Sequence, residues 1–229
     1  MPTRVWRRFE AARGSLKLRV EELAAERYDE AVAMLLKHFT ADEPPCKHIE
    51  VHKHPAALAA LERLWRGALA QGVSVACVVD DDAEAPELVG VNVLAVAGRE
   101  DKDEVFQSDD PVWAALYGAV DLVSRSVDIC HHFAVERYLT AFGLVVAPQY
   151  RGMAVGKEIL LARIPLCKAL DIKVTATVFT AAASQSVAAK AGFITLFEIS
   201  YEELAKRGFV FPGVEKSTRY SKLMALVIE

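Results

Sequence analysis

The chain has 229 residues, 53% hydrophobic and 25% charged, with a formal net charge of −4. That balance allows a sizeable core, excludes wholesale disorder, and lacks the positive charge that a nucleic-acid partner would require. Cys46, Cys77, Cys130 and Cys167 are scattered and read as buried thiols rather than a disulfide framework. No apolar run reaches the roughly 20 residues that span a bilayer, so a cytoplasmic chain without a membrane partner is expected.

Residues 1–14 hold four arginines against one acid and read as a flexible basic tail. Residues 15–229 carry no repeat or linker and read as a single domain. Ser15–Leu23 alternates as a strand, and Tyr28–Phe39 has helical spacing that stops before Pro44 and Pro45. A second amphipathic helix runs from His54 to Gly72. Val73–Val79 and Glu87–Gly98 are strands around the acidic turn Asp80–Pro86. Asp109–Phe133 reads as one long helix with proline just inside an acidic start. Then come strand Tyr138–Pro148, helix Gly152–Leu170 with a kink expected at Pro165, and strand Ile172–Phe179. Helix Ser184–Ala191 and strands Phe193–Tyr201 and Tyr220–Glu229 complete the chain. About seven strands, hairpins first and β-α-β-α-β after, imply an α/β fold with a mixed sheet and helices on both faces.

The stretch from Val145 to Leu160 places an arginine and two glycines where a buried strand becomes a helix. A helix N-terminus offers unpaired amides and about half a positive charge, which suits a phosphate. Gly152 and Gly156 admit a ligand close to the backbone. A P-loop is disfavoured because Glu158 follows Lys157 where serine or threonine belongs, and a dinucleotide fingerprint needs three glycines. A coenzyme A site is the third reading. Simple helix–sheet packing by the glycines competes with all three.

Gln149-Tyr150-Arg151-Gly152-Met153-Ala154 fits the Gln/Arg-x-x-Gly-x-Gly/Ala motif, and Ala188-Ala189-Lys190-Ala191-Gly192-Phe193 is similar to a Lys-x-Gly-Phe ending. On these motifs and the order of elements, most of the chain resembles the Gcn5-related N-acetyltransferases. The resemblance implies that acetyl-CoA is the cofactor and that the amides from Arg151 through Met153, Ala154 and Val155 to Gly156 hold its pyrophosphate, beside Gln149 and Lys157. It also implies that Leu144, Val145 and Val146 pair with the pantetheine arm, on a strand splayed from Ile172–Phe179, and that an amide near Val146 holds the thioester oxygen.

An alkylammonium has a pKa near 10, so amine acylation needs a positioned base. Asp42-Glu43-Pro44 resembles the Asp-Glu-Pro stretch of the insect arylalkylamine N-acetyltransferase branch, and Leu88–Val93 looks like that branch's Ile-Gly-Val strand. The resemblance makes Glu43 the general base; otherwise it reads as a loop acid after a helix. The tyrosine that many relatives use as general acid is replaced by Ala188, which cannot donate a proton. The insect branch uses serines instead. Ser184 matches one, Thr180 stands near the other, and Ser184 equally reads as a helix cap.

Cys46, His48, His52 and His54 cluster, but without a partner Cys-x-x-Cys they read as a solvated loop beside the amine pocket, and no metal is expected. His131 and His132 read as structural at a helix end. Tyr117 and Phe142 are candidate walls for an aromatic acceptor, with core packing as the competing reading. The expected partner is a small amine such as dopamine or serotonin, with the chain a monomer or weak dimer. Agmatine or polyamine acylation, and a non-catalytic acyl-CoA-binding module, remain alternatives.

Overall fold

The computed structural model describes residues 3–12, 15–81, 83–99 and 110–229. Strands β1 (Val5–Glu10) and β2 (Lys17–Glu22) lead into helix α1 (Tyr28–Met34), which runs through a π-turn (Leu35–Phe39) into α2 (Thr40–Asp42). Helices α3 (Pro44–His48) and α4 (Pro55–Leu69), strands β3 (Val75–Val79) and β4 (Leu88–Gly98), and helices α5 (Pro111–Ser124) and α6 (Ile129–His132) follow. The second half contains β5 (Arg137–Val146), α7 (Val155–Ala169), β6 (Val174–Phe179), α8 (Ala182–Lys190), β7 (Ile194–Ser200), α9 (Tyr201–Lys206) and β8 (Tyr220–Val227).

Eight strands form one sheet in the order β1-β2-β3-β4-β5-β6-β8-β7, where about seven were expected. All neighbours are antiparallel except β5 and β6, whose ladder holds a single registered pair, Leu139 with Thr175. Past that pair the strands diverge, and the Thr177 hydroxyl donates to the Ala141 carbonyl at 2.9 Å in place of a backbone bond. The splay expected from the resemblance is therefore present. One apolar cluster packs α1, α4 and α5 on one face of the sheet, and a second packs α7 with β1 to β5.

The extra strand comes from the stretch read as a flexible tail. Val5–Glu10 pairs with β2, Arg7 donates to Glu158 on α7, and the Ala12 amide bonds the Met153 carbonyl. Arg7 and Arg8 lie on this edge strand and reach Glu158 and Asp80, and charged residues on an edge discourage a further strand from pairing there. The long helix also divides: α5 ends at Ser124, and Asp128 caps a separate α6 by accepting from the His131 amide. Helix α7 starts at Val155 rather than Gly152 and continues through Pro165. Helix α8 starts at Ala182, ahead of Ser184. Pro44 and Pro45 end one helix and begin the next, since an N1 proline loses no helical hydrogen bond. The start of the long helix at Asp109, and Arg13 and Gly14 of the expected tail, lie outside the described residues. All four cysteines are buried free thiols.

Candidate functional site

The loop between β5 and α7 forms a cradle of backbone donors. Gly152 (φ +75°) and Ala154 (φ 67°) both take left-handed conformations, which turn successive amides toward one side. The amides of Gly152 to Gly156 have no backbone acceptor among the described residues, whereas the Arg151 amide already bonds the Pro148 carbonyl at 3.2 Å. A side chain at Gly152 would project into open space, so the cradle is accessible from outside. Buried Val155 anchors the loop to the core.

Next to the cradle lies the open end of the β5–β6 wedge. The Ala147 amide bonds Val89 in β4, so by strand alternation the Val146 amide points the other way, toward β6. The Val146 carbonyl accepts from Arg151 Nε at 3.0 Å, and Arg151 also pairs with Asp42 at 2.7 Å. That arginine ties the strand end to the residue preceding Glu43. Val145 is buried, Leu144 and Val146 are half-buried, and the three stand where an extended ligand arm could lie along the strand. Gln149 instead reaches Glu87 at 3.4 Å, and Lys157 is half-buried in the first turn of α7. Glu158, the residue that argued against a P-loop, is occupied by Arg7.

Glu43 sits at the other side of the opening. It caps α3, and one carboxylate oxygen accepts from the Cys46 amide at 2.7 Å. The other accepts from the Thr180 hydroxyl at 2.5 Å, across 137 residues of sequence. Thr180 directly follows β6, so this contact places the carboxylate at the C-terminal end of the wedge. Glu43 as a whole residue is half-buried, but its carboxyl is enclosed. Burial pushes its pKa above the ordinary carboxylate range, partly offset by the donors from Thr180 and Cys46. The Cys46 thiol is pushed well up by burial and by the Glu43 charge. The π-turn seats this corner on β5: a side chain at Gly143 would meet Leu35 Cδ2 at 3.3 Å, and Phe39 packs edge-on to Trp65.

Ser184 and Thr180 are the two hydroxyls that the resemblance offers. In the structure Thr180 is the hydroxyl on the carboxylate, while Ser184 donates to the Ala181 carbonyl of its own helix at 2.9 Å. Ser184 does not cap α8, whose N-cap is Ala181 with no side-chain bond. Ala188 is fully buried. Phe142 is the extra residue of a bulge in β5, and its carbonyl accepts from Trp65 at 2.9 Å. Tyr117 stacks on Trp113 against the main core, with centroids 5.2 Å apart. His48 bonds the Pro212 carbonyl and Ser217, and no cluster among the described residues could hold a metal ion. Tyr201 went unnoticed in the sequence. Its buried hydroxyl donates to the Thr180 carbonyl at 2.9 Å, and burial and the nearby Glu43 charge push its pKa up.

No protein-family model matches the chain, and no curated protein matches it. Solved structures do. The yellow fever mosquito (Aedes aegypti) protein designated arylalkylamine N-acetyltransferase 7 superposes with a TM-score of 0.93 and 35% identity, covering 99% of this chain and 96% of that one. Arylalkylamine N-acetyltransferase 2 of the same mosquito gives a TM-score of 0.79 at 22% identity, over 93% of this chain and 99% of that one. An agmatine N-acetyltransferase shares the fold at a TM-score of 0.76 and 15% identity, over 92% and 99%. The motif, the splayed wedge and the first of these matches lead to one conclusion: the chain belongs to the insect arylalkylamine N-acetyltransferase-like group of the Gcn5-related N-acetyltransferases, enzymes that draw on acetyl-CoA.

Proposed function

We propose that the chain acetylates the primary amine of a small arylalkylamine, with Glu43 as general base. The observation that carries this reading is the enclosed Glu43 carboxylate, held by Thr180 and Cys46 at the open end of the wedge. Free amides of Gly152 to Gly156 and the strand from Leu144 to Val146 fit a pyrophosphate and an extended arm. Bound there, acetyl-CoA supplies an acyl thioester. The Val146 amide stands ready to donate to an oxygen on which negative charge develops. Glu43 removes the ammonium proton, directly or through water; a carboxyl with a raised pKa is a better match to that task than an ordinary one. Thr180 fixes the carboxylate's orientation, and Ser184, in the first turn of α8, is assigned to the departing thiolate. Aromatic neighbours support an aromatic acceptor: Phe39 lies one turn before Glu43, with Trp65 edge-on against it.

The test is thiol release from acetyl-CoA with dopamine, serotonin, tyramine, agmatine and spermidine. The expected order places the three arylalkylamines at least about tenfold above the others in kcat/KM, the equivalent of about 1.4 kcal/mol. Preference for agmatine or spermidine would move the acceptor class. Silence with every amine, despite tight coenzyme A binding, would make the chain a binding module.

A further inference from the structure

Arg163, two turns into α7, is only 1% exposed. A buried guanidinium is normally matched by a carboxylate, because an uncompensated charge in the interior is costly. Here the partners are neutral. Nε and one terminal nitrogen donate to the Asn92 side-chain oxygen at 3.0 and 2.8 Å, and the other terminal nitrogen donates to the Thr175 hydroxyl at 3.2 Å. Burial lowers the Arg163 pKa to about 10, with no carboxylate among the described residues opposing it. The Phe193 ring lies 5.8 Å from the guanidinium.

What those two partners hold explains the arrangement. Asn92 is on β4 and Thr175 on β6, and β5 runs between them. The Asn92 amide donates to the Gly143 carbonyl at 2.8 Å, and the Thr175 hydroxyl donates to the Leu139 carbonyl at 2.9 Å. Leu139 belongs to the one registered β5–β6 pair, where the strands begin to part. Gly143 follows the bulge and directly precedes Leu144 to Val146. One fork on the phosphate-loop helix thus grips β5 on both sides of its bend, through two relays. A lysine or an apolar residue could not reach both relays together.

We infer that Arg163 is a positioning residue for coenzyme A, fixing the angle at which β5 leaves β6 and the register of Leu144–Val146 relative to the loop on its own helix. The inference rests on the proposed site, in which the wedge and the loop share one ligand.

The experiment measures coenzyme A binding by calorimetry, together with separate KM values for acetyl-CoA and the best amine, in wild type, Arg163→Met and Arg163→Lys. Positioning predicts that the coenzyme A Kd and the acetyl-CoA KM rise about tenfold in Arg163→Met, equivalent to about 1.4 kcal/mol, with the amine KM moving less than about twofold. Arg163→Lys, which retains one relay, should fall between. A residue that only supports folding would reduce the active fraction and leave both affinities of the folded remainder intact; that result, or both KM values rising together, overturns the inference. Should Arg163→Met fail to accumulate, Thr175→Val decides. It removes one relay with little change of shape, and an unchanged coenzyme A Kd would refute the assignment. Wild-type protein is the control: failure to bind coenzyme A there would sink the proposed site itself rather than the role of Arg163.

Discussion

The two sides of the wedge are built from different materials. The cradle side is backbone: left-handed Gly152 and Ala154, free amides, and one strand whose ladder ends early. The Glu43 side is assembled from distant segments: the Thr180 hydroxyl and the Cys46 amide converge on one enclosed carboxylate, and Tyr201 holds the Thr180 carbonyl. A backbone cradle recognises a group common to every acyl-CoA and tolerates most side-chain changes. A carboxylate tuned by its donors is sensitive to single atoms. Mutations on the first side should therefore act on cofactor affinity, and those on the second on rate and its pH dependence.

The sharpest separation comes from Glu43→Gln. Loss of a general base costs about 10²- to 10⁴-fold in kcat/KM, while calorimetric coenzyme A binding should stay within about twofold of wild type. Weakened coenzyme A binding in that variant would erase the distinction between the two sides. Gly152→Val should do the reverse. A β-branched residue at φ +75° is strained by about 1–2 kcal/mol, which should distort the loop that carries the amides. The acetyl-CoA KM should rise at least about tenfold with the amine KM unchanged.

Thr180→Val gives a smaller, pH-dependent effect. The Thr180 hydroxyl favours the ionised carboxylate, so removing it should raise the Glu43 pKa further. Glu43 must be ionised to accept a proton, so the acid limb of kcat/KM should move to higher pH, with the variant converging on wild type at high pH. Thr180→Ser should restore the original profile, and a uniform loss at every pH would argue against this role. The smallest effect is expected for Asp42→Asn. Its ion pair with Arg151 spans the two sides, but both side chains are roughly half exposed, at 50% and 42%, and such pairs contribute about 0–1 kcal/mol. The KM values should move less than about threefold in low salt and converge in high salt.

The same contrast explains what could be read from the sequence. The cradle was legible because glycine placement and the strand-to-helix switch are local patterns with local causes. Splay of the strands followed from the resemblance and agrees with the single β5–β6 pair. The N-terminal strand was missed because Arg4, Arg7 and Arg8 obscure its alternation, and what they pair with (Glu158 and Asp80 among them) lies far along the chain. Glu43 stood out through a tripeptide, but its enclosure is not legible there. Thr180 stands 137 residues away, and the Tyr201 and Arg163 contacts likewise depend on the folded sheet. The capping reading of Ser184 failed because serine at the start of a helical pattern usually caps it, whereas α8 begins two residues earlier.

The most direct test of Glu43 as the catalytic base is the pH dependence of kcat/KM for the best amine, in wild type and Glu43→Gln. Wild type should lose activity on acidification through a pKa above the ordinary carboxylate range, and the variant should lack that limb. An identical acid limb in both proteins would contradict the assignment.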